Sequence, residues 1–263
     1  MKIHEYQAKE ILSSYGVPVP RGDVASTGQQ AAEIALRNGG KSVVKAQVHA
    51  GGRGKAGGIR VVSSPEEAAD IAEVLLGTNL ITAQTGPIGV PVRRVLVEEA
   101  VEVEKELYVG MAVDGAAEGV VVIVSEAGGI DIEEVATQTP ERVIRVKVDP
   151  LLGLQSYQGR KLAHSMNLRP ELVVPVSRLI KSLYQMFETR DCSLVEINPL
   201  AITADNRVLA VDAKLSFDDD ALFKHPELKD LHDPEQDDPW EADAREHDIS
   251  YVKLDGDVGC IVN

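Results

Sequence analysis

The sequence predicts an α+β fold of two lobes built on antiparallel sheets, and three observations lead there. The strand-like runs 106–113 and 119–125 are joined by the short turn Asp-Gly-Ala-Ala-Glu-Gly, which suits antiparallel neighbours. A second such pair, SLVEINPLAI and RVLAVDAKL, is joined by Thr-Ala-Asp-Asn. Helical patterns do not alternate with strands in the regular manner of a doubly wound parallel sheet. Residues 21–100 are expected to form one lobe. Residues 1–20 and 101–240 form the other.

Taken in order, 3–15 reads as a helix with Ile3, Ala8, Ile11, Leu12 and Tyr15 on one face. Gly16 closes it, and Pro18 and Pro20 forbid its continuation. Thr27-Gly-Gln-Gln30 is a capping box opening a helix over 28–38. A strand over 42–48 runs into a glycine-rich loop, and GGIRVVSS returns from it. Ser64-Pro65-Glu66-Glu67 is a second capping box, with proline at the first helical position, opening a helix over 65–76. Strands follow at 92–98, 106–113 and 119–125. The spacing of Leu172, Val173, Val176, Leu179, Ile180, Leu183, Tyr184 and Phe187 at threes and fours sets a long helix over 170–188.

Composition narrows the function. The 263 residues carry a net charge of −15, which disfavours binding a polyanion such as nucleic acid through the bulk field. No apolar run reaches the ~20 residues of a membrane helix, and MKIHEYQAKE lacks the apolar core of a secretory signal. Cys192 and Cys260 form no close pair. A cytoplasmic setting is expected, or the mitochondrial matrix for a processed organellar chain. The acids concentrate in 217–248, where 13 stand against Lys224, Lys229 and Arg245. That segment reads as a solvated connector, or as a partner interface with Trp240 as an anchor.

Against this background the cations of VVKAQVHAGGRGKAGG stand out. Residues 49–58 hold five glycines with Arg53 and Lys55, and Lys45 precedes them on the strand. Glycine admits phosphate oxygens close to backbone N–H groups, so the loop suits a phosphate cradle; as an unliganded hairpin it would be a mobile flap with solvated charges. It is neither a Walker A motif nor a G-x-G-x-x-G turn. Glu196 and Asn198 are two apart and share a sheet face. A turn centred on Asp205 would set Asn198 opposite Asp212, whereas a slip of one residue would not. Such oxygens suit Mg²⁺ shared with substrate phosphates, or else a buried polar patch around Lys214. Five glutamates within 98–106 read as a solvated edge, or as a ligand wall at the junction of the lobes.

HEYQAKEIL, VVKAQVHAGGRGKAGG, KELYVG, EAGGIDIEEVA, YQGRKLA, LVEINPLAIT and YVKLDGDVGCIVN occur in this order along the whole chain. Together they closely resemble the succinate–CoA ligase (succinyl-CoA synthetase) β subunits. The resemblance implies an ATP-grasp fold, with 241–263 opening a C-terminal α/β domain whose remainder lies beyond Asn263. It implies that Lys45 and Gly52-Arg53-Gly54 contact the nucleotide phosphates. Glu98, the Val101 carbonyl and Glu106 would hold base and ribose, Asn198 and Asp212 would bind Mg²⁺, and Asn263 would belong to the carboxylate substrate site. Glu196 would stand where phosphate passes to a histidine.

The family reaction joins succinate and CoA at the expense of ATP or GTP, reversibly, through a phosphohistidine on a partner α subunit in a heterodimer or heterotetramer. A ligase acting on malate or citrate, an ATP-grasp carboxylate–amine ligase, or a nucleotide-binding module without activity are the competing readings. Left without neighbours, 249–263 is expected to pack poorly or to pair with another chain.

Overall fold

The computed structural model describes residues 1–237, 239–247, 249, 251 and 258–262. Helix α1 (Glu5–Ser14) comes first, closed by Gly16 at φ 73°. The small lobe then runs β1 (Gly22–Ala25), α2 (Gly28–Arg37), β2 (Ser42–Ala46), β3 (Ile59–Val62), α3 (Pro65–Leu76), a short pair β4 (Asn79–Leu80) and β5 (Val90–Pro91), and β6 (Val95–Glu99). The N-cap half of each predicted capping box is present, while Gln30 Oε1 and Glu67 Oε2 accept from the preceding Ser26 N and Ser63 N and not from the capping residue. Thr27 Oγ1 accepts from Gln30 N, and Ser64 Oγ accepts from Glu67 N, each at 3.2 Å. The four-stranded sheet has the order β1-β6-β2-β3 and is antiparallel throughout. Ala31, Ile34, Val44, Ala68, Ala72, Val95 and Val97 form its core against α2 and α3.

The second lobe continues with β7 (Val103–Asp114), β8 (Gly119–Ser125), α4 (Ile132–Gln138), β9 (Val143–Lys147), α5 (Ser156–Ser165), α6 (Pro170–Thr189), β10 (Cys192–Thr203), β11 (Val208–Ala210) and β12 (Ala213–Phe217). Its sheet has the order β11-β10-β7-β8-β9, with β12 also on β10. Helix α6 lays the predicted stripe on this sheet, and Val176, Ile180 and Leu183 are fully buried. Leu12 of α1 joins the same core.

Three expectations are corrected here. The strand over 207–215 is two strands, because Pro199 on β10 has no N–H to extend the ladder opposite Val211. The buried face of α1 is not purely apolar: Glu5, Gln7 and Lys9 are buried beside Ala8 and Leu12, while Ile11 and Tyr15 are half-buried. The glycine loop is not a loose flap. Gly52 at φ 74° starts a turn closed by Ala56 N to Gly52 O and Gly58 N to Arg53 O, and Gly51 N is pinned to Gln84 Oε1 at 2.7 Å.

Residue contacts divide the chain into Met1–His232 and Asp233–Asn263. In the second unit, α7 having closed the first at Pro226–Lys229, a further helix α8 spans Pro239–Glu246. Most of the segment 249–263, expected to pack poorly or to pair with another chain, lies outside the described residues; Ile249, Tyr251 and 258–262 are in neither helix nor strand. Asn263 lies outside the described residues. Among the described residues no helix is long and apolar enough to cross a membrane.

Leu183 is fully buried whereas Val174 on the same helix is 48% exposed. Leu183→Ala is expected to cost about 2–5 kcal/mol and Val174→Ala within about 0.5 kcal/mol, read by urea unfolding.

Candidate functional site

Positions 5, 8, 9 and 12 of α1 lie on one face, so burying Ala8 and Leu12 also buries Glu5 and Lys9. That face meets the centre of the small-lobe sheet, where β2 presents Lys45 and β6 presents Glu98. The register opposite β10 supplies the last partner. Val211 N donates to Pro199 O at 3.1 Å, but Pro199 has no N–H to return the bond. The Val211 carbonyl is therefore open, and both lysines take it, Lys45 Nζ at 2.6 Å and Lys9 Nζ at 2.7 Å.

Each ammonium thus lies within 2.9 Å of three oxygens, two of which accept hydrogen bonds from it while the third is an ion-pair contact. Lys45 lies 2.9 Å from Glu5 Oε1 and 2.7 Å from Glu98 Oε2. Lys9 lies 2.8 Å from Glu5 Oε1 and 2.6 Å from Glu98 Oε1. Arg53, folded in from the glycine turn, completes the cluster. Its Nη1 donates to Ala46 O at 2.9 Å. Its Nη2 donates to Glu5 Oε2 at 2.6 Å and to Asp212 at 2.9 and 3.1 Å. Three cations face three carboxylates, which is how buried charge becomes tolerable. Burial works against ionisation of Lys45 and Arg53, but Glu5, Glu98 and Asp212 around the lysine, and Asp212 and Glu5 around the arginine, raise both above their ordinary values. Burial lowers Lys9, with Lys45 adding to it against the pull of Glu5 and Glu98.

The cluster opens at Asp212, whose side chain is 33% exposed. The register from Leu200↔Ala210 through Ile197↔Ala213 sets Asn198 opposite Asp212, the pairing expected from a turn at Asp205. Asn198 grips the loop after β8: its Oδ1 accepts from Gly129 N at 2.7 Å and its Nδ2 donates to Ile130 O at 2.9 Å. Gly128 in that loop lies so close to Leu107 that a β-carbon would strike the Leu107 backbone. The loop leads to Asp131, which meets the exposed Lys55 at 3.2 Å.

Glu196 lies opposite Lys214 on β12 and Gly110 on β7. Burial raises its carboxyl, and although Lys214 opposes this, Glu133, Asp212 and Asp131 push it further. Tyr108 leans over Gly110, and burial together with Glu196 and Glu133 raises its phenol.

The predicted site residues therefore divide. Arg53 meets Asp212 directly, and Lys45 joins them through Glu5. Gly52 and Gly54 form the turn that aims Arg53. Glu196 and Asn198 border the opening. Glu98, expected at the base and ribose, is 2% exposed and gives its carboxylate to Lys9 and Lys45. Val101 lies in the link between β6 and β7, and the exposed Glu106 lies against Gly129. His49 packs on His4, with ring centroids 4.4 Å apart. Glu5 and Lys9 were missed. The signal was available, as two charges spaced i, i+4 in the stripe that carries Ala8 and Leu12.

Among the described residues no three His, Cys, Asp or Glu side chains form a metal cage. Asp212 and Asn198 do offer hard oxygens, and the mutual repulsion of Glu196, Glu133, Asp212 and Asp131 is the kind a cation relieves. This donor set fits Mg²⁺ held by one or two protein oxygens together with substrate phosphates.

Burial alone would raise the Glu5 carboxyl, but Lys45, Lys9 and Arg53 hold it well below its ordinary value of 4.5. Its stabilisation is complete above pH 4.5 and is lost as pH falls toward the folded-state value. The raised Glu196 works in the opposite sense, favouring the fold most at low pH. Urea titrations on both sides of pH 4.5 are expected to show stability falling on the acid side, with a shallower fall in Glu5→Gln.

Comparison with known proteins gives a consistent answer. The ATP-grasp domain matches residues 2–202. The succinate–CoA ligase [ADP-forming] subunit beta of a Nitratiruptor species is 52% identical over the whole chain, and that of Geobacillus thermodenitrificans is 51% identical; the chain spans 68% of each. In structure, ATP citrate lyase from Methanothrix soehngenii superposes with a TM-score of 0.69 at 22% identity, covering 94% of this chain and 59% of that one. An acetyl-coenzyme A synthetase from Ca. Korarchaeum cryptofilum gives 0.63 at 17% identity, covering 82% and 93%. These two likenesses bear on the fold. The ATP-grasp match over three quarters of the chain and the half-identical relatives place this chain in the family of succinate–CoA ligase β subunits.

Proposed function

We propose that the cleft at Arg53 and Asp212 binds Mg·ATP, or Mg·GTP, and that the chain is the nucleotide-binding part of a succinate–CoA ligase. The observation that carries this is the meeting of Arg53 from a glycine turn with Asp212 from the facing sheet, 2.9 Å apart. A phosphate seeks the first group and a divalent cation the second. On binding, Arg53 and the Gly52–Gly54 backbone offer their N–H groups to the phosphates, with Lys45 fixing the floor beneath them. Asp212 and Asn198 hold Mg²⁺, which supplies charge neutralisation. The Val101 carbonyl and Glu106 line the base and ribose, while Glu98 acts from below through Lys45. Glu196 borders the path by which phosphate leaves for a histidine.

That histidine belongs to a partner α subunit. His225 is bound to Asp191 at 2.9 Å, and His49 packs against His4. Phosphoryl transfer asks the protein for positioning and charge neutralisation, and this chain supplies both on the nucleotide side. Succinate and CoA then complete the reaction, with Asn263 belonging to the carboxylate site. The purified chain alone is accordingly expected to show no succinyl-CoA formation; turnover without any partner contradicts this.

Calorimetric titration is expected to show Mg·ATP binding tighter than about 1 mM, some 4 kcal/mol. Arg53→Ala would leave Asp212 without its counter-charge and Glu5 with only Lys9 and Lys45, at a cost of about 3–5 kcal/mol in stability. Arg53→Lys is the cleaner variant. It keeps the charge and loses the fork, and is expected to weaken Mg·ATP about tenfold. Asp212→Asn is expected to raise the Mg²⁺ concentration needed for binding. No heat with either nucleotide, or an unchanged Kd in Arg53→Lys, removes the loop from the site.

A further inference from the structure

We propose that Glu5 is a positioning residue of the phosphate site, holding Lys45 with one carboxylate oxygen and Arg53 with the other. The inference rests on the reading of Arg53 as a phosphate ligand and adds a residue from outside the cleft. Glu5 is 5% exposed and stands on α1, distant in sequence from both the glycine turn and the Mg²⁺ candidates. Its Oε1 is 2.9 Å from Lys45 Nζ and its Oε2 is 2.6 Å from Arg53 Nη2.

Two consequences follow from this bridge. The guanidinium is anchored from behind, so its direction is set before any nucleotide arrives. Its Nη2 also divides its protons between Glu5 and Asp212. Without Glu5, Asp212 becomes the sole carboxylate on Arg53. The arginine then competes more strongly for the oxygen atoms proposed to take the metal. Glutamine keeps the shape of Glu5 and offers one acceptor oxygen instead of two. Glu5→Gln therefore loosens Arg53 or Lys45 and ties up Asp212 together.

The test titrates Mg·ATP into the wild-type chain, Glu5→Gln, Glu5→Gln/Lys9→Met and Arg53→Lys by calorimetry, and repeats each at stepped Mg²⁺. The double variant keeps the cluster charge-balanced and so guards against failure to fold. Expected is a Kd raised about tenfold in both Glu5 variants with the binding stoichiometry unchanged, and a Mg²⁺ midpoint moved upward. A merely structural role gives a lower stoichiometry at unchanged Kd, and that result overturns the proposal. So does a Kd within about twofold of wild type in the Glu5 variants while Arg53→Lys weakens binding. If Arg53→Lys itself changes nothing, the phosphate reading fails first and this inference with it.

Discussion

One backbone carbonyl organises the seam between the lobes. Val211 O accepts from Lys45 at 2.6 Å and from Lys9 at 2.7 Å, and it is available because Pro199 opposite cannot donate. A residue with an N–H at 199 would close the ladder and compete for that oxygen. The two buried lysines would then have to share it with the strand. A gap in a sheet ladder has become the fixed point around which α1, the small-lobe sheet and the glycine turn are assembled.

The same irregularity shapes the edge of the site. The register between β10 and β7 shifts between Ile197 and Leu200, the kind of bulge that re-aims side chains near functional centres. Asn198 emerges there and grips Gly129 and Ile130, so the loop after β8 is set by β10. Gly128 must be glycine for that loop to lie on the Leu107 backbone. Fold and site are thus fixed by the same residues, and loss of the strand irregularity would displace both Asn198 and Asp212.

Much of this was legible in the sequence. Ser64 and Pro65 set where α3 begins, because an N-cap followed by proline marks the first turn. A turn at Asp205 set the register that brings Asn198 to Asp212. Lys45, Arg53 and Asp212 could be picked out as site candidates by residue type and spacing. What escaped has physical causes. Helix α5 is capped by Gln155, outside the usual capping residues, and β9 is a short edge strand with a mixed pattern. Glu5 and Lys9 were hidden by the rule that buried helix faces are apolar. That rule fails where opposite charges neutralise one another. The glycine turn looked loose because composition records freedom but not the contacts that remove it.

The cluster also explains why nucleotide and metal should enter together on the proposed function. Lys45 is already engaged by Glu5, Glu98 and the Val211 carbonyl, so on this reading phosphate recognition falls on Arg53 and on backbone amides of the turn. Arg53 is held by Asp212 until something replaces it. A bare polyphosphate must pull Arg53 from Asp212 and leave a carboxylate facing the new anion. A bare cation must take Asp212 from Arg53 and leave a guanidinium facing the new charge. Each alone meets repulsion created by its own arrival. Arriving as one unit, the phosphate satisfies Arg53 while the metal satisfies Asp212, and the buried charge count is preserved. Such exchange is a coupling free energy between two ligands, reciprocal by necessity, and it needs no change of fold beyond the parting of one ion pair.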